Sequence, residues 1–415
     1  GLSTPSNRFV GASISPGCRG IQDVWMWRKC NTHAHCMSVD TDERDHFQAV
    51  LRAWDDYLPY SLHRNNERRS SLYAQPHEHQ AMLSRLSTPV PGPPGTPGAY
   101  AGFRDKLNEM DDRIRRNADV LSSMAQFCHS FLGIMNTEPS MPPRTEQPTR
   151  SVSDRDQDRV RTVLKQMVRD WSQEGAEERK LAYDPIIEAV VSRVPRNRRV
   201  LVPGSGLGRL AFELTQRGYA CQGNEFSYFM LIPAHFILNC TERIHQHALF
   251  PFVHSASNWR SASDMLRCIH VPDVLPSSLP EEADFSMVAG EFVEVYAKPE
   301  EHGAWDVVAT CYFMDTAKNV LRYLEVINAV LPIGGLWINV GPLLWHFEHD
   351  TEPSLELTLE ELLALAVECG FEVEERRTLA PQTYTGAPLS MLSHHYVPEF
   401  WVCKKVRHHP MAPSI

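Results

Sequence analysis

The residues best placed to do chemistry lie in the turn Pro203-Gly204-Ser205-Gly206-Leu207-Gly208 and, 17 positions past its last glycine, at Glu225. Glycines let a backbone approach a ligand where a Cβ would clash. The helix that follows such a turn offers free N–H groups to that ligand. A carboxylate ending the next strand can accept from both hydroxyls of a ribose. Gly204, Gly206 and Glu225 are therefore read as contacts to an adenosine-bearing cofactor. The spacing is G-x-G-x-G followed by Arg209, whereas the dinucleotide fingerprint places a small residue at that last position. An arginine there disfavours a pyrophosphate lying on the helix. It favours a nucleoside without phosphate, such as S-adenosylmethionine.

These residues need a strand–turn–helix–strand frame to hold them. Val200, Leu201 and Val202 suit a buried strand. An amphipathic segment with Leu210, Phe212 and Leu214 follows, Gly218 breaks it, and a second strand over Tyr219 to Gly223 leads to Asn224-Glu225. Helix is then expected from Phe226 to Asn239. Strands are expected at Phe252 to His254, Phe285 to Ala289, Asp306 to Cys311, Leu336 to Val340, Phe371 to Thr378 and Phe400 to Lys405. Residues 258–280 read as an irregular insertion, and helices are expected over 319–331 and 358–369. The alternation predicts an α/β fold, a doubly wound sheet of about seven strands. Its ligand cleft should lie at the C-terminal strand ends, lined by Gly204, Glu225, Glu291, Cys311, Asp315 and the loop after Val340.

The preceding chain reads as helical from 41 to 195, with residues 1–40 irregular and 196–415 forming the α/β domain. Phe47, Val50, Leu51, Trp54, Tyr57 and Leu58 make one apolar face, which Pro59 should bend or end. A second helix is expected over 65–86, a third over 103–132 and further helix over 154–194. Thr88 to Ala99 reads as an exposed Pro/Gly linker, and 137–151 as another loop. Val160, Val163, Leu164, Met167, Val168 and Trp171 form a stripe with Gln166 and Arg169 beside it; pattern alone puts those two on a solvated face.

The chain has 415 residues, a formal net charge of −10 and 42% hydrophobic residues. That charge argues against non-specific nucleic-acid binding, and the absence of any run of 18 apolar residues argues against a spanning helix. Ten cysteines without a C-x-x-C pair, and no secretory pattern at the start, suggest reduced thiols in a cytoplasmic or nuclear compartment. Cys30, His33, His35 and Cys36 are spaced too closely for a usual zinc cluster, and His394-His395 lack an acid at ligand spacing, so no metal is expected.

Four stretches, TVLKQMVRDWS (162–172), VLVPGSGLGRLAFEL with GYACQGNEFS, CYFMDTAKNV (311–320) and WINVGPLLWHFE (337–348), resemble the carnosine N-methyltransferases, a family of class I S-adenosylmethionine-dependent enzymes. The resemblance runs from about residue 43 to the C-terminus. It implies a Rossmann-like domain with a helical N-terminal region and methylation of an imidazole nitrogen of β-alanyl-histidine, giving anserine. It implies cofactor contacts from Gln166, Arg169, Gly204, Glu225, the Glu291-Phe292 pair and Cys311, and substrate contacts or catalysis from Asp315, His346 and Tyr396. The family usually has Asp where this chain has Glu291, and a run of tyrosines where it has Ser393-His394-His395-Tyr396. A small dipeptide is then the partner, with a homodimer through the N-terminal helices as a further expectation.

Pattern alone leaves other readings open. Asp315 could cap the following helix, His346 could be a core histidine, and Cys311 could be strand packing. A non-catalytic cofactor-binding protein and an NAD-dependent oxidoreductase are the competing functions, the latter opposed by Arg209.

Overall fold

The computed structural model describes residues 41–86, 88–90, 99–132 and 153–412. At its centre is a seven-stranded sheet: β1 (Arg199–Pro203), β2 (Ala220–Glu225), β3 (Phe285–Ala289), β4 (Val307–Cys311), β5 (Leu336–Gly341), β6 (Phe371–Thr378) and β7 (Glu399–Lys405). Their order is β3-β2-β1-β4-β5-β7-β6. The first five are mutually parallel, and β7 runs antiparallel to both β5 and β6. The strand order reverses direction between β1 and β4, so the switch point expected to hold ligand falls at their C-terminal ends. The reversed β7, inserted beside β5, separates this sheet from the six-stranded dinucleotide arrangement.

The parallel strands are largely buried on both faces because both faces are covered, with Gln222, Asn224, Thr310 and Asn339 as buried polar exceptions to their apolar character. Along β1, Val200 and Val202 enter a core shared with the N-terminal helices, while Leu201 enters a second core with Trp337 and Trp401. That alternation is the period-two geometry of a strand. The first core also takes in Val50, Trp54, Leu107, Met110, Leu164 and Trp171, so the helical region and one side of the sheet bury a common apolar surface.

Helices α1 (Thr41–Asp55), α2 (Tyr57–Tyr73), α3 (His77–Ser84), α4 (Phe103–Leu132), α5 (Asp154–Trp171) and α6 (Ala176–Arg193) precede the sheet. The break between α1 and α2 comes before Pro59, which sits in the first turn of α2, where its missing N–H has no intrahelical acceptor to lose. The single helix expected over 65–86 is two, divided at Pro76, the residue before α3. The ends of the expected Pro/Gly linker pair as an antiparallel ladder, Thr88–Val90 with Ala99–Ala101. No strand forms at 252–254; the paired segments there are His247–Leu249 and Ile269–Val271, which gives the insertion more order than its prolines suggest. The Cys30–Cys36 stretch and the loop at 137–151 lie outside the described residues. No described helix is long and apolar enough to cross a membrane.

Candidate active site

Helix α5 brings the N-terminal region to the glycine turn. The side chain of Ser153 caps it by accepting from the Asp156 amide at 3.2 Å, and Asp154 and Asp156 sit at its positive end. Its apolar stripe packs against α1, α6, the helix over Tyr228–Cys240 and the strand Ile269–Val271, which carries Gln166, Arg169 and Asp170 onto the turn. The 3- and 4-residue spacing puts these side chains on one face. Gln166 and Arg169 are each 4% exposed, so the solvated reading of that face is corrected: tertiary packing covers it. Trp171 Nε1 donates to the Leu207 carbonyl at 3.0 Å and fixes helix to turn.

Asp170, 1% exposed, joins this cluster and was not singled out from sequence. It accepts from Gln166 Nε2 at 3.0 Å, from Arg169 Nη1 at 2.8 Å and from the Tyr183 hydroxyl at 3.1 Å. Its position four residues after Gln166 was the available signal. The Arg169 guanidinium lies between the rings of Tyr183 and Tyr384, 5.1 and 4.6 Å from their centroids. Arg169 Nε is 3.0 Å from Glu178 Oε1, close enough for Coulomb attraction although that N–H aims aside. Glu178 in turn accepts from the Thr383 hydroxyl at 2.8 Å and the Thr385 and Gly386 amides at 2.7 and 3.1 Å. It therefore pins the segment bearing Tyr384.

The three glycines of the turn have left-handed φ values of +63°, +55° and +79°. A Cβ on Gly206 would face Asp170 Oδ2 at 3.6 Å and Gln166 Nε2 at 3.8 Å, whereas one on Gly204 would strike Phe313 at 2.4 Å. Gln166, Arg169, Asp170, Tyr183, Gly204, Gly206, Cys311 and Tyr384 line one pocket beside the turn. Arg209 is turned away from it. Its guanidinium binds the Asp170 carbonyl at 2.9 Å and Asp273 at 2.6 Å, so it braces the turn.

Glu225 adjoins the cavity through its Oε2, which accepts from the Gly206 amide at 3.0 Å; its Oε1 accepts from the Phe226 and Ser227 amides at 2.8 Å. Burial raises its pKa, and those three donors pull the other way. The Gly290 amide donates to the Glu225 carbonyl at 3.0 Å, which sets Glu291 beside it. Glu291 caps the short helix Phe292–Tyr296 by accepting from the Glu294 amide at 2.8 Å. The Phe292 side chain is buried away from the cavity against Phe313 and Tyr323. Only its main chain, in the first turn of that helix, is placed to meet a ligand. Cys311 reaches the cavity as the last residue of β4, and burial pushes its thiol up to about 11, so it is neutral at pH 7.

Beyond Cys311, the chain leads to Asp315, which is 3% exposed. It does not cap the following helix, whose N-cap is Asn319. Its Oδ2 accepts from the Leu344 amide at 2.8 Å, and its carbonyl accepts from the His346 amide at 3.0 Å. The loops after β4 and β5 are thereby joined. Burial raises the Asp315 pKa, opposed by the Leu344 donor and the nearby His346. His346 itself is exposed, so the core-histidine reading is corrected. Tyr396 meets Tyr312 edge-on with centroids 6.0 Å apart, and Tyr312 meets Tyr384 at 4.9 Å. Tyr384, Tyr183, Glu178 and Tyr312 were not identified from sequence.

The strand order, the glycine turn after β1 and the acid that ends β2 define a Rossmann-like methyltransferase. A family model for carnosine N-methyltransferase matches residues 146–407. Carnosine N-methyltransferase of Schizosaccharomyces pombe is 38% identical over 390 residues, covering 89% of this chain and 98% of its own. The Mus musculus protein of that name is 37% identical over 375 residues, covering 88% and 86%. The Drosophila melanogaster protein named carnosine N-methyltransferase unmet is 33% identical over 390 residues, covering 88% and 81%. The chain belongs to the carnosine N-methyltransferase family.

Proposed function

We propose that this enzyme transfers the methyl group of S-adenosylmethionine to an imidazole ring nitrogen of carnosine, giving anserine. The observation that carries this reading is the buried Asp315 carboxylate, held beside His346 at the strand end that also bears Cys311. The family membership supports the substrate class.

Sulfonium methyl transfer is an in-line displacement. It needs a nucleophile with a free lone pair, and an imidazole is mostly neutral above a pKa of about 6.5. The protein must then select the tautomer and aim it. Asp315 accepts the N–H of one ring nitrogen, which leaves the lone pair of the other facing the methyl group. The ring becomes an imidazolium as the bond forms, and the carboxylate stabilises that charge, as an aspartate does for histidine in hydrolase triads. His346 and Tyr396 hold the ring and the dipeptide. Gln166, Arg169, the glycine turn and Cys311 would hold the methionine part of the cofactor, and Glu225 would accept from its ribose hydroxyls. Glu291 and the Phe292 amide would meet the adenine edge. Supplying the reacting groups already oriented is worth roughly 7–11 kcal/mol at its upper range.

Incubation with S-adenosylmethionine and carnosine tests the reading. Carnosine-dependent release of S-adenosylhomocysteine is expected. Cofactor binding with no turnover on any imidazole compound would favour a binding protein that kept the fold.

A further inference from the structure

Two polar groups beside the proposed substrate site are buried without partners among the described residues. Gln382 is 2% exposed, and neither its Nε2 nor its Oε1 makes a hydrogen bond. The Tyr312 hydroxyl is in the same state. Buried polar groups are nearly always paired, and each exception needs a reason.

Their placement supplies one. Gln382 and Tyr396 exchange two main-chain hydrogen bonds of 2.9 Å as an isolated antiparallel bridge. Directly opposed residues in such a pair project their side chains to the same face. The Gln382 amide therefore stands on the face of Tyr396, whose ring meets that of Tyr312. Thr383, the next residue, is bonded to Glu178 instead, which fixes this segment's orientation. Tyr312 has φ of +54°, a conformation that a bulky side chain rarely adopts and that clusters at ligand sites. It is held there by its amide N–H, which donates to the Val340 carbonyl at 2.8 Å, and the absent side chain of Gly341 allows the approach.

We propose that Gln382 and Tyr312 are substrate-positioning residues that receive the main-chain polar groups of the dipeptide. Gln382 offers a donor and an acceptor to its peptide amide, and Tyr312 offers a hydroxyl to its carboxylate. A carboxamide complements a peptide group, since each has one N–H side and one carbonyl side. Burial raises the Tyr312 pKa and keeps its phenol a donor at neutral pH. This inference rests on the proposed dipeptide substrate.

The test uses Gln382→Met and Tyr312→Phe in the full chain, with carnosine titrated calorimetrically onto the S-adenosylhomocysteine complex alongside steady-state kinetics. Each variant is expected to weaken carnosine binding and raise its KM about tenfold. The kcat at saturation should change less than about threefold, because the ring-orienting groups are untouched. Cofactor affinity should not move. The thermal midpoint should stay or rise, because an unsatisfied buried polar group is removed. Variants that bind carnosine as wild type does, or that lose cofactor and carnosine affinity together, would overturn this inference alone. A wild-type chain that binds no carnosine would overturn the proposed function along with it.

Discussion

The Leu344 amide donates to the Asp315 carboxylate at 2.8 Å across the ends of two neighbouring strands. The same bond that closes the loop after β5 thereby fixes which way the carboxylate points. Asp315→Asn keeps an acceptor for that amide but removes the charge. Turnover on carnosine is expected to fall roughly 100-fold or more, with cofactor affinity nearly unchanged. Kinetics and a cofactor titration check both halves, and a parallel loss of the two would remove the role assigned to Asp315.

The raised pKa of Asp315 has a stability consequence of definite sign. A carboxyl whose pKa is higher when folded contributes stability below its unfolded pKa, near 3.9, and that contribution is lost as pH rises through the folded value. Ionised Asp315 is thus a cost at neutral pH. Asp315→Asn is expected to match or exceed wild-type stability at pH 7, with its advantage shrinking as pH falls through the raised folded value and gone below about 4. Denaturant melts at the two pH values measure it; an advantage that grows in acid would contradict the burial effect.

Activity depends on pH in the opposite direction. Acid protonates the substrate imidazole, whose reference pKa is about 6.5, and removes its lone pair. It also protonates Asp315, which then no longer accepts the ring N–H. The value of kcat/KM on carnosine is expected to climb as pH rises through about 6–7 and to level off above it. A profile that declines between pH 6 and 8 would point to a protonated substrate.

Gly204 and Gly206 should respond differently to alanine. At Gly204 the Cβ meets Phe313 at 2.4 Å, so Gly204→Ala should cost roughly 2 kcal/mol or more from clash and left-handed strain. At Gly206 the contacts are 3.6 Å or longer, so Gly206→Ala should cost only about 1 kcal/mol. Its methyl group, however, points across the cavity at Asp170 and Gln166, so cofactor affinity should drop at least about tenfold. Urea melts and cofactor titrations separate the two effects.

Asp170 holds three donors in a buried setting. Asp170→Ala leaves the Arg169 charge with Glu178 as its one remaining carboxylate among the described residues, and breaking a buried pair costs about 3–5 kcal/mol. Chemical denaturation should report a loss of that size, together with loss of cofactor binding. A change below about 1 kcal/mol would place the pair's worth in the surface range.

The parts of this molecule legible in sequence are those written in local pattern. The apolar run Val200 to Val202, the glycine turn and Glu225 are contiguous, and their geometry follows from strand, turn and strand. Residues 88–101 and 247–271 misled because short pairings form between segments whose composition suits loops. Gln166 and Arg169 looked solvent-facing because helix periodicity records one buried stripe and cannot register a second neighbour, here the glycine turn. Tyr384 is set by Glu178, 206 positions earlier in the chain, a relation no local pattern carries. Tyr312 shows in sequence as an ordinary residue after a strand; its strained backbone becomes visible only with Gly341 packed opposite.

The most direct test of the account is the position of the transferred methyl group. Carnosine is incubated with S-adenosylmethionine labelled in that methyl, and the product is resolved by mass spectrometry and NMR. Wild type should place the label on a single ring nitrogen, the one that anserine carries methylated. Label on the β-alanyl amine, or shared between both ring nitrogens, would contradict the orientation assigned to Asp315.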